Sequence, residues 1–148
     1  MYTIYEVARN FYDRDRSMSL KKLQKLCWYA YSWYVALNNE PCEDDFHRLF
    51  NERAQAWVHG PVFPVLYEDF KCNNSIKMNS ANIISNSEVL SFLDEVYKVY
   101  GDFSGDELES ITLQEEPWIR ARRELPAYEP CTNFINDKDI FKEYLDRK

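Results

Sequence analysis

The stretch CWYAYSWYVAL, Cys27 to Leu37, limits what this chain can become more than any other part of it. Leu23, Leu26, Cys27, Ala30, Tyr34 and Leu37 recur at helical spacing and make one apolar face. Trp28, Tyr29, Tyr31 and Trp33 fill most of the remaining circumference. A helix that is apolar nearly all the way round has to be covered on several sides. A helix over residues 20–38 is therefore expected at the centre of the fold. It is not expected in a membrane, because the apolar run Leu26–Leu37 has twelve residues with Ser32 inside it, where a span needs about 20.

The other helices announce themselves by their starts. Thr3-x-x-Glu6, Ser85-x-x-Glu88 and Ser104-x-x-Glu107 all have the capping-box form. The first precedes the stripe Ile4, Val7, Ala8 and Phe11. The second precedes Val89, Leu90, Leu93, Val96, Tyr97 and Tyr100, with Gly101 as the stop. Ser19 is placed to cap the central helix and Asn136 to cap a last one reaching Leu145, and each such cap contributes about 1 kcal/mol.

The stretch ERAQAWVHGPVFPVLY, residues 52 to 67, breaks the helical pattern. It holds Gly60, one of only three glycines, and two prolines. Pro61 keeps Gly60 out of the α region, and glycine tolerates dihedrals that other residues do not. The spacing predicts a short strand over Ala54–Val58, a rigid turn, an extended arm to Pro64 and a short helix Val65–Phe70 opened by that proline. An Asn-rich connection with a small strand around Ile76–Met78 is expected next. The fold class expected is mainly α: a single helical domain, 1–148, around a central aromatic-rich helix, with a small β element near residues 50–60 and 76–84. A chain of 148 residues suits one domain.

Charge and cysteines narrow the function classes. Acidic residues outnumber basic ones, 25 to 18, for a net charge of −7. Such a surface repels phosphate backbones, so nucleic acid is a disfavoured partner. Cys27, Cys42, Cys72 and Cys131 form no CxxC pair. The charged N-terminal run has no apolar core of the kind secretory signals carry. A reduced, cytoplasmic protein with no membrane association is expected.

The catalytic inventory is thin. His47 and His59 are the only histidines. Cys42 or Cys72 with His59 would make a nucleophile–base pair only if the fold joined them. A zinc site from Cys42, His47, His59 and Cys72 lacks the close ligand pair that would nucleate it. No phosphate-binding glycine loop, GxSxG or HExxH is present. The neighbours Asp44/Asp45 and Glu115/Glu116 are expected to point apart into solvent. No catalytic, cofactor or metal residue is assigned. His59 is expected to bond a buried carbonyl or a helix end. Trp118 is expected in the core with Arg120, Arg122 and Arg123 solvated. The other reading is a basic spot for an acidic partner loop or an RNA.

Three segments together carry a family resemblance: KLQKLCWYAYSWYVAL (Lys22–Leu37), AQAWVHGPVFPVLYEDF (Ala54–Phe70) and LESITLQEEPWIRAR (Leu108–Arg122). They resemble the Panacea domain, or SocA-like antitoxin, family of phage-associated proteins. The most specific element is Ala56, Trp57, Gly60, Pro61 and Val62 following an aromatic helix. Leu113 departs from the pattern, since relatives often carry His after the threonine. The resemblance implies a mainly α fold without catalytic activity or cofactor. It also implies an antitoxin, bacterial or phage-encoded, that binds a cognate toxin encoded nearby. A protease or chaperone enters as a further partner if the protein is a proteolytic adaptor, and a homodimer is left open. Trp28, Tyr31, Trp57, His59, Gly60, Pro61, Trp118 and Arg122 are the candidate partner-binding residues. The alternatives are a small hydrolase or transferase using His59 and a cysteine, and a phage regulatory or DNA-binding factor.

Overall fold

Helix α2, Leu20–Leu37, is the axis around which the rest is laid. The computed structural model describes residues 1–41 and 44–147. In it α2 packs against α1 (Ile4–Tyr12), α3 (Pro64–Cys72), α5 (Ser87–Tyr100), α6 (Gly105–Thr112), α8 (Asp137–Leu145) and strand β2 (Gly60–Val62). Leu23, Leu26, Cys27, Trp28, Tyr29, Ala30 and Tyr31 are all buried, as an all-round apolar helix requires. Leu37 is an exception: it stands in the last turn of α2 and is 54% exposed.

The caps explain the element boundaries. Thr3 and Ser104 form complete capping boxes with Glu6 and Glu107. The Ser19 side chain accepts from the Lys22 N–H, and Asn136 accepts from that of Lys138. At α5 the cap is Asn86, not Ser85: its Oδ1 accepts from the N–H groups of both Glu88 and Val89. Gly101 ends α5 in a right-handed conformation, φ −66°. Packing rather than backbone freedom calls for glycine there, since a Cβ would lie 2.8 Å from the Tyr97 ring.

The strand expected around Ile76–Met78, and with it the β element near 76–84, is corrected: Ile76–Asn79 is a short helix, α4. The buried Asp69 carboxylate on α3 accepts from the N–H groups of Lys77 (3.0 Å) and Met78 (3.1 Å) and so starts the turn from outside. The other β element is a hairpin. β1 (Gln55–Trp57) pairs antiparallel with β2, Gln55 opposite Val62 and Trp57 opposite Gly60, so the extended arm is its second strand. On the far edge of β1 the Ala56 N–H donates to Asn133 O, and the Ile135 N–H to Ala54 O. α7 (Glu116–Ala121) and α8 complete the order. Among the described residues, no helix is long and apolar enough to cross a membrane.

Candidate partner-binding site

The hairpin turn is pressed into the helices beneath it. Gly60 has φ +104°, and a Cβ there would stand 2.7 Å from Thr112 Oγ1 and 3.1 Å from Lys25 Cε. The polar residues of the KLQKL segment explain how a strand can lie on an apolar helix. Gln24 Nε2 donates to Phe63 O (3.1 Å) and its Oε1 accepts from the Phe63 N–H (2.8 Å), imitating a neighbouring strand. Lys25 Nζ donates to Pro61 O at 3.1 Å. Burial of that amine pulls its pKa down to about 7. Gly60→Ala should therefore lower unfolding stability by about 2 kcal/mol or more, from backbone strain plus the clash. Denaturant melts of the two proteins check this.

The third sequence segment grips the hairpin from the other side. Trp118 Nε1 donates to Trp57 O at 2.8 Å, and Arg122 Nη1 donates to Ala56 O at 2.9 Å. Arg122 also bonds the carbonyls of Pro126 and Glu129, and its guanidinium lies 5.0 Å from the Trp118 ring centre. Held from both sides, the hairpin turns one face outward. Trp57 packs edge-on against Tyr67, 5.2 Å between centroids, and its Nε1 donates to Gln55. Beside it runs an apolar groove of about 310 Å³ lined by Trp57, Val58, His59 and Val62, with Pro130, Cys131 and Thr132 opposite. His59 is 70% exposed at the rim, its Nδ1 3.1 Å from Glu109 Oε2 on α6. Glu109 is also 2.7 Å from Lys21 Nζ, which in turn reaches Asp106 at 2.8 Å. Partial burial works against the Glu109 charge, but hydrogen bonds from Lys21 and His59 outweigh it and hold the carboxyl below its usual range.

A second polar centre lies in the core. Glu115 is fully buried and accepts from Trp28 Nε1 (3.1 Å), Tyr29 OH (3.0 Å) and Tyr144 OH (2.8 Å), with Arg147 3.6 Å away. Burial raises its pKa, and those donors and the arginine oppose the rise. Asp137 does the same for Tyr31, accepting its hydroxyl at 2.6 Å and Arg48 Nε at 2.7 Å. The three sequence segments thus meet around one hairpin and one buried carboxylate. Residues 23–119 match the family model described as the antitoxin SocA-like, Panacea domain. The chain belongs to that family. No curated protein and no solved structure matches it.

Burial and contacts sort the eight candidate residues. Trp28 and Tyr31 are buried, with their polar tips spent on Glu115 and Asp137, so they have no surface to offer a partner. Gly60 and Pro61 are buried under the turn. Trp118 and Arg122 are buried as well, and the expectation that Arg122 is solvated is corrected: three backbone carbonyls and the Trp118 face hold it. Trp57 and His59 keep open surface. The carboxylate partner of His59 differs from the carbonyl or helix end expected. Glu115 departs from expectation too, pointing into the core while Glu116 stays exposed.

Cys72 is exposed on the last turn of α3, and Cys42 lies outside the described residues. The cysteine that shares a groove with His59 is Cys131. No cluster of three metal-ligating side chains occurs among the described residues. Sequence reading missed Lys25, Glu109 and Glu115. The one available signal was their position inside the recognised segments at places where a solvated residue would have served as well.

Proposed function

We propose that this protein neutralises a toxin encoded beside it by direct binding, with the groove at Trp57, Val58 and His59 as the contact surface. Family membership supports an antitoxin-type role. The observation that carries the surface is the clamped hairpin. Its backbone is tied to Gln24, Lys25, Trp118 and Arg122, and it still presents an apolar groove to solvent. A rigid apolar groove loses little freedom on binding, so more of the contact energy appears as affinity. Aromatic anchors such as Trp57 commonly dominate such contacts. Occlusion of the toxin's working surface is the mechanism expected. Delivery of the toxin to a protease is the variant, and neutralisation that survives in protease-deficient cells excludes it.

The test is co-expression with each neighbouring reading frame, with growth and affinity purification as readouts. One neighbour should be toxic alone, harmless in combination and co-purify at fixed stoichiometry. Val58→Glu should then weaken that complex by tenfold or more, about 1.4 kcal/mol, with an unchanged melting temperature. The absence of any toxic, co-purifying neighbour sinks the proposal. A cysteine hydrolase is the second reading, because Cys131 and His59 line one groove and Glu109 sits at Nδ1 of the histidine. That reading requires Cys131→Ser to abolish neutralisation without weakening the complex.

A further inference from the structure

We propose that a second groove, between α7 and the loop at 123–127, takes an acidic, aliphatic segment of a protein partner. The groove encloses about 380 Å³. Its apolar surface comes from Trp118, Ile119, Leu125 and Ala127, and Ile119 and Leu125 are each 42% exposed. Three arginines border it against one glutamate, Glu124. Arg120 is neutralised by Glu116 and Asp139, which leaves Arg122 and Arg123 against Glu124. On a chain of net charge −7 that local excess is a reversal of sign, and charge complementarity identifies the occupant.

Arg122 gives the reversal its force. It is only 3% exposed, and its partners are three carbonyls and a ring face. Among the described residues no carboxylate pairs with it. A buried guanidinium without a counter-ion projects its charge through a poorly screening medium. Arg123 is exposed and makes no ion pair among the described residues, while Arg120 is shared at 3.4 and 3.8 Å between Glu116 and Asp139. A carboxylate entering the groove meets Arg123 directly and lies in the field of Arg122. Its neighbouring aliphatic side chains cover Ile119 and Leu125. An RNA fits less well. Its phosphates would have to approach an acidic protein, and the exposed floor is aliphatic where base recognition uses exposed stacking aromatics.

The groove's chemistry stands without the antitoxin reading. Only the naming of the toxin as the source of the segment rests on it. Two experiments separate them. In the first, the full chain is titrated with a blocked peptide of alternating Glu and Leu, and NMR follows the Trp118 indole N–H and the Ile119 and Leu125 methyls. Saturable shifts confined to these groups are expected. They should vanish with a Lys–Leu peptide and in Arg123→Glu. No shifts, shifts elsewhere, or equal shifts from both peptides overturn the proposal. Binding of an oligouridylate at these groups with none of the Glu–Leu peptide overturns it in favour of nucleic acid.

In the second, the co-purifying neighbour is bound to Arg123→Glu and Ile119→Ser, two surface changes that should leave the melting temperature unchanged. A tenfold or greater loss of affinity is expected. If the neighbour binds both variants normally and the peptide fails, the groove proposal falls and the antitoxin reading stands. If no neighbour binds but the peptide does, the reverse holds.

Discussion

Replacing Glu115 by alanine should cost about 3–5 kcal/mol of unfolding stability, the range seen when one partner of a buried charged network is removed. Trp28, Tyr29 and Tyr144 would each be left with a buried donor and no acceptor, and Arg147 would lose one of its two carboxylate partners, keeping Glu143. Domains of this kind are stable by only about 5–15 kcal/mol, so the variant should melt far below the parent. Glu115→Gln should cost much less. Its carbonyl oxygen still accepts from Trp28 and Tyr144, and the Tyr29 hydroxyl can turn to accept from the amide.

The same pair of proteins has a pH signature. The folded-state pKa of Glu115 is raised by burial, so the folded protein binds its proton more readily than the unfolded chain does. The Glu115 contribution therefore declines as pH rises from the ordinary glutamate value through the raised one. Glu115→Gln should lack that decline. Denaturant titrations of parent, E115A and E115Q across the acid range read all three effects. A loss in E115A no larger than in E115Q would remove Glu115 from its organising place.

How much of this was legible in the sequence follows from how local each interaction is. Thr3, Ser19, Ser104 and Asn136 cap through bonds to residues two or three positions away, and all four were readable. The cap expected at Ser85 falls on Asn86, because both residue types cap and they are adjacent. The strand at 76–78 was misread because the Asp69 carboxylate that starts α4 arrives from another helix. The central helix was readable as buried, since its run Cys27–Leu37 is apolar nearly all the way round. Which of its aromatics stay inside was not readable. Trp28 needs an acceptor 87 residues away and Tyr31 one 106 residues away, and no pattern within a helix reports that. Arg122 was misjudged for the same reason, because its carbonyl partners depend on how the loop at 126–129 folds back.

Raising the pH from about 7 towards 10 should stabilise this protein, and Lys25 should be the cause. Its amine is buried under the Gly60 turn with a pKa drawn down to about 7 from the ordinary 10.5. Between those values the unfolded chain holds the proton and the folded protein does not, so stability rises with pH. At 1.36 kcal/mol per pH unit the full window is worth about 5 kcal/mol. The rise must then turn over. Burial raises the pKa of Cys27 and, with nearby carboxylates, those of Tyr29, Tyr31 and Tyr144. The unfolded chain loses these protons near pH 9–10 while the folded one keeps them, so their contribution falls with further alkalinity.

Lys25→Met separates the two trends. The variant cannot carry the buried charge, but it leaves Pro61 O without its donor, a loss of about 1–3 kcal/mol. It should therefore be more stable than the parent at neutral pH and less stable near pH 10, with the two curves crossing between. A variant that is weaker at every pH would mean that the charged amine is well accommodated, with Glu109 outweighing burial and the repulsion of Lys21. A crossing would mean that the hairpin carrying the candidate site rests on a lysine that sheds its proton near neutral pH. The stability of that turn, and with it the readiness of the groove, would then depend on pH in the physiological range.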